Sequence, residues 1–105
     1  MKAYIELINE ALNLGFSMDV ISEEELEIES STNRDEIVDM VENLDMSWLK
    51  FYDGDRCYRG SAMINLCVDD DETVSDHSMN YTRDNCAPQN SDKWIEDWFN
   101  RVVMA

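Results

Sequence analysis

Apolar residues recur at helical spacing over residues 2–14. Tyr4, Ile5, Leu7, Ile8, Ala11 and Leu12 make one face, and Gly15 is placed to end the helix in a left-handed cap. The pattern then switches to alternation. Phe16, Met18 and Val20 fall on one side of residues 16–21, which predicts a strand. In residues 21–31, ISEEELEIESS, Leu26 and Ile28 alternate with Glu25, Glu27 and Glu29. That alternation predicts a second strand, with Leu26 and Ile28 facing a core and the glutamates facing water. A short helix is the competing reading, because Ser22 and Glu25 fit a capping box. The spacing of two between Leu26 and Ile28 favours the strand, and Ser30-Ser31-Thr32-Asn33 ends it.

Residues 33–45 carry the clearest helical pattern. Ile37, Met40, Val41 and Leu44 lie at i, i+3, i+4 and i+7, and Thr32 or Asn33 can cap the start. At about 100° per residue, Asp35, Asp39 and Glu42 fall on the opposite face. Residues 47–52, SWLKFY, read as a strand, and Asp53-Gly54 is a hairpin signal. A partner strand is expected within 56–68, most securely over 62–68. Residues 69–72 then form a polar turn before a short extended piece near 73–75. Residues 76–90 read as irregular, with Pro88 as a boundary. A last helix is expected over 92–103, capped by Ser91, with Trp94, Ile95, Trp98, Phe99 and Val102 on its apolar face. The order α-β-β-α-β-β-(β)-α predicts a single α+β domain. Its antiparallel sheet has about four strands and its three helices lie on one face.

Charge changes this picture more than any motif does. The 105 residues carry 24 acids against eight Lys and Arg, a formal net charge of -16. Residues 1–49 hold 13 acids and two bases, net -11; residues 50–105 hold 11 acids and six bases, net -5. A domain this long spans roughly 33 Å, from a radius of gyration of roughly 13 Å. The same length of B-DNA, at one charge per ~1.7 Å, carries about 20 charges. Solubility needs a net charge of only about 2–8 in a small domain. Such a chain is repelled by nucleic acid and by anionic membranes. The ten aromatic residues (three Trp, four Tyr, three Phe) argue against a disordered acidic tail.

Candidate chemistry is sparse. Cys57, Cys67, His77 and Cys86 are zinc-type ligands, but they lack the close pairs that let one turn aim two ligands. Cys67 reads as a small hydrophobe in a strand. Asp53-Gly54-Asp55 opens like a calcium loop, but Tyr58 and Ile64 stand where a glycine and a glutamate are needed. The one histidine, His77, sits in the polar segment SDHSMN and reads as an exposed loop residue. There is no phosphate-cradling glycine motif. No cofactor or metal site and no enzyme activity are expected. Glu6, Asn9 and Glu10 interrupt any signal-peptide apolar region, so the chain is read as cytoplasmic with free thiols.

Small size, strong acidity, α+β order and the lack of a catalytic pattern resemble the small phage-encoded inhibitors of bacterial defence. These are the anti-CRISPR proteins and the DNA-mimicking anti-restriction proteins. The resemblance implies a cytoplasmic, non-enzymatic inhibitor inside a bacterial host. Its partner would be a basic nucleic-acid-binding protein or ribonucleoprotein, whose DNA access it blocks. The residues expected to carry binding are Glu23, Glu24, Glu25, Glu27, Glu29, Asp35, Asp39 and Glu42, in two rows. As a strand, Glu25, Glu27 and Glu29 lie about 6.8 Å apart, at a rise of ~3.4 Å per residue. The alternatives are an immunity or antitoxin protein against a basic nuclease, a small metal-dependent enzyme, and an acidic halophilic domain.

Overall fold

A computed structural model describes residues 2–23, 25–53, 57–68, 73–78 and 93–104. The first helix, α1 (Ala3–Asn13), buries Tyr4, Leu7, Ile8 and Ala11. It ends as its sequence predicts. Gly15 has φ +86°. Its N–H donates to the Leu12 carbonyl at 3.0 Å, and the Phe16 N–H donates to that of Ala11 at 3.0 Å. These two bonds satisfy carbonyls that the helix end leaves open, and they turn Phe16 back into the core. The chain then enters β1 (Ser17–Ile21), returns as β2 (Leu26–Ser31) and forms α2 (Arg34–Glu42). Asn33 caps α2, its side chain accepting from the Glu36 N–H at 3.2 Å.

Two longer strands follow, β3 (Met46–Tyr52) and β4 (Tyr58–Asn65), then β5 (Val74–Ser78) and α3 (Trp94–Val102). All pairings are antiparallel, in the order β2-β1-β3-β4-β5. The α+β order read from the sequence is the order of the molecule, and the short fifth extended piece is a full member of the sheet. β4 ends three residues earlier than expected, so Cys67 lies beyond the strand and is exposed. His77 belongs to β5 by its backbone rather than to a loop. The hairpin signal at Gly54, the polar turn 69–72, Pro88 and the cap at Ser91 lie outside the described residues.

One core fills the space between the sheet and the three helices. Met18 and Val20 of β1, Leu49 and Phe51 of β3, and Ala62 and Ile64 of β4 meet Ile37, Val41, Trp94, Ile95 and Trp98 there. Trp94 packs edge-on against Phe51 at 4.9 Å and Phe16 at 5.3 Å, and its Nε1 donates to the Arg59 carbonyl at 2.6 Å. The aromatic face of α3 is therefore core. Arg59 is itself buried, held by Asp53 through Nε at 3.0 Å and Nη2 at 2.6 Å. That bond pins the end of the β3–β4 hairpin.

Candidate partner-binding surface

The β1–β2 hairpin carries the first acidic row. Its loop is closed by the pair that could have been a helix cap. The Ser22 N–H donates to the Glu25 carbonyl at 2.9 Å, and the Glu25 N–H donates to Ser22 Oγ at 3.2 Å. The register beyond it is not even. Ile21 pairs with Leu26, Val20 with Ile28 and Met18 with Ser31, so β2 holds an extra residue in each interval. At the second bulge Ser30 takes φ +54°, and its N–H donates to the buried Asp19 Oδ1 at 2.8 Å. The first bulge turns Leu26 away from the core. Ile28 is 7% exposed, as expected, but Leu26 is 49% exposed. The expectation of two inward residues fails at Leu26, because simple alternation does not survive a bulge.

Glu23, Glu25 and Glu29 are exposed and Glu27 is half-buried; Glu24 lies outside the described residues. The spacing of this row is also uneven. The Glu25 and Glu27 carboxyl groups come within hydrogen-bonding reach of each other. The Glu27 carboxyl is held above the ordinary glutamate range, first by desolvation and then by the hydrogen bond and like charge of Glu25. These two residues thus form a crowded carboxylate pair, whereas Glu29 stands on the far side of Ile28.

The second row lies on α2. Asp35, Asp39 and Glu42 are exposed, opposite the buried Ile37 and Val41. Asp35 meets Arg34 at 3.3 Å, a surface ion pair of small weight. Glu42 accepts from the buried Tyr4 hydroxyl at 2.6 Å, and Arg34 Nε donates to Asn9 Oδ1 at 2.7 Å. Both contacts tie this side of α2 to α1. The helix covers the core face of the sheet, while Glu29 alternates with Ile28 and leaves on the other side. The two rows therefore flank one edge of the molecule from different layers; they do not make one flat lattice.

The fold adds an acid that the sequence reading did not group with the hairpin. Asp45, in the α2–β3 turn, joins Glu23 and Glu25 around a recess of about 300 Å³, with Ser22, Leu44 and Met46 completing its wall. Asp45 is far from the hairpin in sequence, so only the β1–β3 pairing brings them together.

The cysteines differ from expectation. Cys57 is disulfide-bonded, so the chain does not carry free thiols throughout, and its partner lies outside the described residues. A sulfur in a disulfide is not a thiolate ligand, which removes Cys57 from the zinc-type set in this state. Among the described residues no three Cys, His, Asp or Glu side chains converge on a metal position. Among them, too, no helix is long and apolar enough to cross a membrane. Comparison with protein-family models, curated proteins and solved structures returns no match.

Proposed function

We propose that this chain is a non-enzymatic inhibitor, acting in the cytoplasm of a bacterial host. It binds a basic nucleic-acid-binding defence protein or ribonucleoprotein and keeps DNA from it. One observation carries this reading: a net charge of -16 on a domain measuring 36 × 32 × 22 Å, with acids exposed on both layers of its β2 edge. Charge at this density opposes the compact state. It favours rapid, salt-sensitive association with a cationic channel, which otherwise holds a nucleic-acid backbone. Binding is carried by Glu23, Glu24, Glu25, Glu27, Glu29, Asp35, Asp39 and Glu42, with Asp45 added from the recess. Because the rows flank an edge, the fitting partner is a groove or channel that takes in that edge, rather than a flat basic surface.

The test is a triple charge reversal, Glu25→Lys, Glu27→Lys and Glu29→Lys. Glu25 and Glu29 are exposed, Glu27 is partly exposed and none of the three belongs to the core, so the variant should keep its circular dichroism while losing capture of the nucleoprotein. Capture equal to wild type would contradict the assignment of β2. Recovery of a lone nuclease in place of a nucleoprotein would point to an immunity protein.

A further inference from the structure

The sheet has a second face, opposite the three helices, and its pattern is not that of an ordinary wet face. The pairings Leu26–Ile21, Ile21–Trp48 and Trp48–Met63 place four large apolar residues in one row across four strands. With strands about 4.8 Å apart, the row is about 14 Å long. None of the four belongs to the core cluster or to the partly buried residues packed against it. Leu26 is 49% exposed, and Ile21, Trp48 and Met63 are each partly exposed. A solvated antiparallel face normally presents polar residues at such positions. The neighbouring row is polar, with the buried Asp19, the exposed Lys50 and the partly exposed Ser61 in register.

Its rim is acidic. The row begins at Leu26, between Glu25 and Glu27. Beside it Met46 shares the recess wall with Glu23, Glu25 and Asp45. An apolar centre with a polar rim is the anatomy of a binding patch, and tryptophan is among the residue types enriched as its anchors. Charge decides the occupant. A second copy would bring another -16 against the same rim, and the exposed Lys50 of the neighbouring row is a single charge against it.

We propose that this open sheet face is a docking surface for a cationic protein, anchored on the Leu26–Ile21–Trp48–Met63 row and oriented by the acids at its Leu26 end. This rests on the reading of the chain as a ligand of a basic partner and supplies the apolar anchor that an acidic edge lacks. Charge speeds and orients the encounter, and a desolvated apolar row supplies the anchor that holds the complex together.

Two synthetic peptides test it, alike in length and charge. One alternates lysine with leucine, and the other alternates lysine with serine. Wild-type protein should bind the leucine peptide at least about tenfold tighter, the scale of one lost anchor residue. Trp48 emission should shift on binding, because Trp94 and Trp98 are already buried. In Leu26→Ser/Met63→Ser the preference should fall to within about twofold, while affinity for the serine peptide is unchanged. The row lies outside the core, so this variant should keep its melting temperature to within a few degrees. If it does not, Leu26→Ser alone gives the same comparison.

An undiminished preference in the variant overturns the proposal. So does a Trp48 that acrylamide cannot quench in the free protein, which would mean that the chain covers the face itself. A concentration-dependent dimer abolished by Leu26→Ser overturns it in favour of a second copy. The two readings fail separately. If wild-type protein shows the peptide preference but captures no DNA-displaceable nucleoprotein, the basic defence partner is wrong and the docking face stands. If capture occurs and Leu26→Ser/Met63→Ser captures equally well, the docking face is wrong and the inhibitor reading stands.

Discussion

Glu27 sits where ionisation is unfavourable. Desolvation and Glu25 both raise its pKa in the folded chain. A raised pKa means that the folded state holds this proton more tightly than the unfolded state does. The linked stabilisation is present below the ordinary glutamate pKa and is lost as pH rises through the raised value. At neutral pH the pair therefore opposes folding. Glu27→Gln should raise the melting temperature at pH 7, and the gain should shrink as pH falls through the ordinary glutamate range. Melts of both proteins across that range check this. Ser47 makes a second residue-scale case. It is fully buried on the core face of β3, and its Oγ has no hydrogen-bond partner among the described residues. Ser47→Ala should be neutral or stabilising by about 1 kcal/mol, measured by urea unfolding. The cysteines give a chemical check. In the unreduced protein a thiol reagent should label the exposed Cys67 and not Cys57, and reduction should release Cys57.

At the scale of elements, the helices were legible because their signals are local. Gly15 ends α1 where the pattern placed it, and nothing lies within 4 Å of a β-carbon built there. The whole effect of Gly15→Ala is therefore conformational, a loss of about 1–2 kcal/mol. Asn33→Ala should cost about 1 kcal/mol by removing the α2 cap. Both are read from denaturant midpoints. β2 was legible as a strand but not in its register. Its two bulges are set by pairing with β1 and by the bond from Ser30 to Asp19, and neither leaves a mark in LEIESS. For the same reason the exposure of Leu26 and the crowding of Glu25 with Glu27 could not be foreseen. The alternation Trp48–Lys50 against Leu49–Phe51 did carry a local signal for the open face. Its meaning depended on which strands Trp48 joins.

At the scale of the molecule, the sequence states the charge and the fold states its arrangement. Each acid on β2 and α2, apart from the half-buried Glu27, is a solvated residue by itself. Their grouping around one edge, with Asp45 added, comes from the sheet order β2-β1-β3 and from α2 lying on the core side. Self-repulsion on this scale should be relieved by ordinary screening, since the Debye length is already about 8 Å at 0.15 M salt. The melting temperature should rise with sodium chloride over the first few hundred millimolar and then level off. A rise continuing into molar salt would support halophilic adaptation instead. The central claim is that the acidic edge occupies a site that otherwise holds DNA. Its most direct test is capture of host proteins on the tagged chain at low salt, followed by elution with duplex DNA. Release of a nucleoprotein by DNA, and its absence from the Glu25→Lys/Glu27→Lys/Glu29→Lys capture, is the predicted result. A captured complex that excess DNA leaves in place would contradict it.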